Sequence, residues 1–141
     1  MVTEEQKERI LKSVGCLQSY ATDDKLHWFW PDGKLMSPTD ENRMPVFDLN
    51  LLNEILESRL KELWGERFSI TIRHYEDVAF KLPQEKQWHI TLAKWELDPP
   101  GYEKGFAGFV IRIGAFGDTQ AEALQKALLK LAEAKNVRQT S

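Results

Sequence analysis

Five residues on segments that read as strands, Arg73, Tyr75, His89, Trp95 and Arg112, carry a cationic group or a polar-tipped ring. A guanidinium presents a planar fork of donors to a phosphate, and an indole or phenol ring stacks on a base. Gathered between a sheet and a helix, such a set would line a pocket for a small nucleotide. Left apart, the same side chains would make a solvated sheet face or a subunit interface. A second candidate is the stretch IRIGAFGDTQAEALQKALLKL, residues 111–131, where an apolar strand runs through Gly114 and Gly117 into a helix. Backbone N–H groups at a helix start attract anions. The GAFGDT segment, however, lacks the Gly-Lys-Ser/Thr ending of a phosphate loop and the three-glycine dinucleotide fingerprint. Asp118 also sets a carboxylate against the helix dipole from within the chain. A capped strand-to-helix turn is the expectation there.

Other reactive residue types are scattered. His27, His74 and His89 lie far apart, with no metal-ligand spacing and no thiolate beside them, so packing roles are expected and no metal site. Cys16 stands between Val14 and Leu17 on an apolar helical stripe, the setting of a buried, inert thiol. The carboxylates Asp23, Asp24, Asp40, Glu41, Glu76, Asp77, Glu96 and Asp98 fall in hydrophilic segments where solvation is expected. A general acid or base needs burial or close like charge to tune it. No catalytic residue, no cofactor and no enzymatic activity are therefore expected.

Composition narrows the class further. A chain of 141 residues makes one domain, 1–141, and can bury about two-thirds of its unfolded surface. With 42% hydrophobic and 29% charged residues it is too apolar for disorder. The net charge of −3 and the scattered Lys and Arg disfavour a nucleic-acid polymer as partner, since a phosphate backbone needs a concentrated basic face. A single cysteine excludes an internal disulfide and fits a reducing cytosol. The charged start MVTEEQKERILK is no secretory signal. No apolar run reaches the roughly 20 residues of a membrane span. A cytoplasmic protein without a membrane partner is expected.

Periodicity supplies the elements that must position these residues. Thr3 and Gln6 fit a capping box ahead of a helix over 3–19, with Ile10, Leu11, Val14 and Leu17 on its apolar stripe. KLHWFWPDGKLM reads as a short hairpin turning at Pro31-Asp32-Gly33, and residues 37–45 as a loop. A second helix spans 48–65, capped by Asp48 and ended by Gly65. Its buried face is Leu49, Leu52, Ile55, Leu56, Leu63 and Trp64, with Leu60 at the margin. Residues 67–75 and 86–95 alternate as half-buried strands, and DVAFKLP between them is a further short strand or a connection. Residues 106–116, the most apolar strand, are expected at the centre of the sheet. A last helix covers 119–135, capped by Thr119 with Glu122. Strands joined by loops too short for helices imply an antiparallel sheet. The expected fold is α+β: a mostly antiparallel sheet of about four to five strands packed with three helices.

The segments PVFDLNLLNEIL (45–56) and GAFGDTQAEALQKALLKL (114–131) add a resemblance. An Asp-initiated helix, then strands, then an Ala-rich helix entered through an Asp-Thr turn resembles the small phage ABA (α-β-α) sandwich proteins, over roughly residues 40–135. Some members of that family are similar to Thoeris anti-defence proteins, oligomeric sponges that sequester a cyclic ADP-ribose-like signal and in some cases cyclic nucleotides. Two arginines one turn apart on their last helix help hold the ligand phosphates, and the matching positions here are Glu122 and Lys126. Lys126 keeps a positive charge as a point rather than a fork. Glu122 reverses it.

Two functional readings follow. In the first, a non-enzymatic phage or prophage-type protein binds and sequesters a small anionic, nucleotide-like ligand through Lys126, Arg112, Arg73 and Trp95. In the second, a protein–protein interaction or assembly module uses an aromatic surface formed by Leu26–Trp30 with Trp88 and Trp95. The expected partners are a nucleotide-like signal or a host protein, and a homo-oligomer fits both readings.

Overall fold

The computed structural model describes residues 3–75 and 87–139, the side chains through residue 133. Helix α1, Glu4–Ser13, begins at the expected box: the Gln6 N–H donates to Thr3 Oγ1 at 3.2 Å and the Thr3 N–H to Gln6 Oε1 at 2.9 Å. It stops earlier than the apolar stripe suggests. Gly15 turns into the left-handed region at φ 86°, and the Cys16 N–H returns to the Leu11 carbonyl at 3.1 Å. The stripe residues Val14 and Leu17 thus belong to a turn and to a strand, β1 (Leu17–Tyr20).

β1 pairs antiparallel with β2 (Leu26–Phe29), Leu17 opposite Phe29 and Tyr20 opposite Leu26. The turn at Pro31–Gly33 also forms, with the Gly33 N–H on the Trp30 carbonyl and one bridge from Phe29 to Leu35. Helix α2, Leu49–Trp64, opens where Asp48 accepts from the Leu51 N–H at 2.9 Å and closes at Gly65, φ 74°. Its buried residues are Leu52, Ile55, Leu56, Arg59 and Leu60. Leu49 is exposed and Leu60 is not, the reverse of the expected margin.

β3 (Phe68–His74), β4 (Trp88–Leu97) and β5 (Ala107–Gly117) form an antiparallel sheet in the order β3-β4-β5. The DVAFKLP segment lies outside the described residues. Ala107–Gly117, expected at the centre, is an edge strand among the described residues, because each strand simply follows its predecessor across the sheet and β4 takes the middle. Helix α3, Gln120–Gln139, packs back over β5 and β4. The described chain is thus α+β, with three helices and five strands divided between two antiparallel sheets.

One core joins these parts. Phe68, Ile70, Trp88, Ile90, Leu92, Ile113 and Ala115 on one face of the larger sheet share a core with Ile10 and Leu11 of α1, with Leu52, Ile55, Leu56 and Leu60 of α2, and with Ala123, Leu124, Ala127, Leu128 and Leu131 of α3. Each fully buried Leu or Ile contributes about 1.5–3 kcal/mol relative to exposure. The β5-to-α3 corner is tight. A Cβ on Gly117 would stand 2.6 Å from the Ala123 backbone nitrogen and 3.0 Å from its Cα. Gly117→Ala must therefore separate strand from helix, at a cost of about 1–3 kcal/mol. A lower urea midpoint with an unchanged slope would confirm this, and an unchanged midpoint would refute the close approach.

Candidate functional site

The strand-to-helix corner offers an anion little. The Glu122 N–H already donates to Thr119 Oγ1 and the Ala123 N–H to the Thr119 carbonyl, both at 3.1 Å. The first of these uses a donor that a helix start leaves open, and the second is the first bond of the helix ladder. The corner closes on itself, as expected from its sequence.

The sheet face away from the helices is different in kind. Directly opposed residues on antiparallel strands share a face, and successive residues alternate. Away from the core this places Ser69, Thr71 and Arg73 on β3, His89, Thr91, Ala93 and Trp95 on β4, and Phe109, Ile111, Gly114 and Phe116 on β5. No described position of this face carries a carboxylate. Its rings interlock: His89 stacks on Phe116 at 4.1 Å and lies 6.4 Å from Tyr75, so three rings bridge the width of the sheet. Further along, Trp95 meets Phe109 edge-on at 5.2 Å, and the Arg67 guanidinium sits over the indole at 5.3 Å.

Arg73 stands exposed beside His89 on this face and makes no ion pair with any described residue. Trp95 shares the face but lies six residues along β4 from His89, about 20 Å away. Arg112 is the extra residue of a bulge, where the register slips between Leu92 and Ala93. Its guanidinium is held in two places by Glu96, Nε to Oε2 at 2.6 Å and Nη2 to Oε1 at 2.5 Å. Lys126 is on α3, on the covered side, paired with Glu122 at 3.2 Å. The four side chains are not brought into one hollow. A hollow of about 370 Å³ beside the β4–β5 loop is lined by Asp98, Pro99, Tyr102, Glu103 and Lys104, and by none of the four.

The aromatic residues expected at an interface divide in the same way. Trp28 is buried in the core and Trp88 packs against it from the covered side, stacked on His74 at 4.1 Å. Trp95 alone of that set is on the open face. Sequence reasoning passed over Phe109, Ile111 and Phe116, because an apolar run on β5 also suits a strand buried on both sides. It passed over Arg59 too, whose buried guanidinium has Glu62 at 3.2 Å and no well-aligned hydrogen bond.

The remaining reactive groups are quiet. Burial pushes the Cys16 thiol up to about 11, far from a nucleophilic range. The hydrogen bond from His27 lowers the exposed Asp23 carboxyl. Among the described residues no group of three or more His, Cys, Asp or Glu could hold a metal ion. No described helix is long and apolar enough to cross a membrane. Set against protein-family models, curated proteins and solved structures, the chain finds no match in any of the three.

His89 gives the open face a measurable signature. Desolvation first, then the charges of Arg73 and Lys130, lowers its pKa below the usual 6.5. As pH falls through 6.5 the unfolded chain therefore takes up this proton before the folded one does. The stability tied to neutral His89 is whole above about pH 6.5 and drains away below it, until the folded ring also protonates. Urea denaturation between pH 7.5 and 5.5 should show this decline, and His89→Phe should flatten it. An equal slope in both proteins would remove His89 as its source.

Proposed function

We propose that the chain is a non-enzymatic assembly module that binds a protein surface through the open face of its three-stranded sheet. One observation carries the reading: Ile111, Phe109 and Phe116 remain 63%, 49% and 39% exposed on a single strand, within a face whose described positions carry no carboxylate. Interface cores are depleted of charge and rich in aromatic rings, and grouped exposed apolar side chains mark such sites. Light scattering over a wide concentration range, together with capture of host proteins, tests it. Association or capture that weakens in Ile111→Ser is the expected result. A strict monomer that captures nothing would overturn the reading.

A second reading is favoured by Arg73. A guanidinium without an ion pair among the described residues, next to the stacked rings of His89 and Phe116, has the chemistry to hold a small anionic nucleotide. The resemblance to phage ABA sandwich proteins extends this to sequestration of a nucleotide-like signal. Arg73 would serve it directly, Trp95 lies about 20 Å further along the face, and Arg112 and Lys126 would first have to leave Glu96 and Glu122. A screen of cyclic nucleotides and ADP-ribose derivatives should then raise the melting temperature. Saturation a hundredfold above Kd adds about 2.7 kcal/mol of stability, and Arg73→Ala should abolish the gain. No shift with any of them at high concentration would count against sequestration.

A further inference from the structure

We infer that the protein surface bound is a second copy of this chain, joined edge to edge along β5 so that two three-stranded sheets become one of six strands. The inference rests on the assembly reading, adds the partner, and places the contact at the β5 margin of the open face, where side chains of the two copies lie side by side. β5 is eleven residues long, and among the described residues no strand pairs with its outer side. Such an edge leaves a row of backbone donors and acceptors open, which proteins commonly guard with proline or charge. β5 contains no proline, and its single charged residue, Arg112, is drawn back onto Glu96.

Charge selects the occupant. The cations of the open face, Arg67 and Arg73, flank or lie on β3, two strand spacings or about 10 Å from β5. A nucleic-acid strand or an acidic peptide would be drawn to β3, or to Lys130 where it meets Gly114, since the Ala107–Ile111 half of β5 offers it no cation. A second copy related by a two-fold axis sets apolar β5 against apolar β5. It also carries the two β3 strands to the outer margins, about 24 Å apart, beyond the roughly 10 Å over which exposed charges interact at 0.1 M salt. Like-charge repulsion between the copies is thereby avoided.

The pairing segment can be placed. Lys130 Nζ donates to the Gly114 carbonyl at 2.5 Å, and the bulge at Arg112 interrupts the ladder. The bulge falls at the midpoint of β5 and the Lys130 contact beyond it. Ala107–Ile111 remains, and antiparallel pairing about its middle sets Phe109 opposite Phe109 of the other copy, with Cβ atoms about 5 Å apart.

Phe109→Lys and Phe109→Glu each place like charges across the axis, and their mixture places opposite charges there. Sedimentation should show a concentration-dependent dimer for the unmodified chain and at least tenfold weaker association for either variant. An equimolar mixture should recover it, and Leu17→Lys on the other sheet should leave it unchanged. Backbone amides of Ala107–Ile111 should exchange more slowly as concentration rises, with β3 amides unaffected. Undiminished dimers in both variants, or protection that appears on β3, would overturn edge pairing while leaving an assembly surface. A monomer that captures another protein, or that binds a single-stranded oligonucleotide or acidic peptide in an Arg73-dependent way, would overturn the second copy as partner.

Discussion

The structure depends on a core that closes on one side of its sheet. Apolar stripes from α1, α2 and α3 all converge on the face of Ile70, Ile90, Leu92, Ile113 and Ala115. Burial of these side chains provides the main favourable free energy of folding. Every described helix contributes to that one cluster, so no described helix is left to cover the other face. The location of Trp95, Phe109, Ile111 and Phe116 in contact with water follows from this arrangement. So does the division of the sequence-predicted site, since Lys126 rides on a covering helix while Arg73 is on the uncovered side.

Much of this was legible because its causes are local. The Thr3–Gln6 box, the Asp48 cap and the Gly65 stop act within a turn or two, and each is where the sequence places it. Alternation on β3 put Arg73 opposite in sense to Ile70 and Ile72, and the period of two fixes that without knowledge of neighbours. Strand order is not local. Phe109, Val110 and Ile111 supply apolar groups to both faces, and the same run suits a central strand between two layers or an edge strand with one face in water. The bulge is equally hidden, since inserting Arg112 changes which side chains share a face without changing the apolar pattern. The Glu122–Lys126 pair, at helical spacing i,i+4, could have been read directly and shows why that lysine is not free.

The ion pairs decide which cations remain available rather than how stable the fold is. Arg112 and Glu96 make a two-point contact, but Arg112 is exposed, and pairs of that sort contribute at most about 1 kcal/mol. Their effect is geometric: the only charge on β5 is fixed against β4. Arg59 is the opposite case. Its guanidinium is fully buried on the core stripe of α2 with the carboxylate of Glu62 at 3.2 Å, and desolvating such a group costs several kcal/mol before its partner offsets any of it. A helix that keeps a cation there is not optimised for burial alone.

The open face is itself graded, and the grading bears on what it meets. An antiparallel sheet with one face in water normally shows polar residues outward on every strand. β3 obeys, with Ser69, Thr71 and Arg73. β5 does not, with Phe109, Ile111 and Phe116 in the equivalent rows, while β4 between them mixes His89 and Thr91 with Trp95. Both margins belong to one sheet, share one core and differ only in which side of β4 they occupy. Solvation alone gives no reason for the two to diverge, because leaving each large apolar side chain exposed forgoes about 1.5–3 kcal/mol that burial would contribute. The β3 margin has the polar side chains that water favours, and the β5 margin forgoes free energy that burial would contribute.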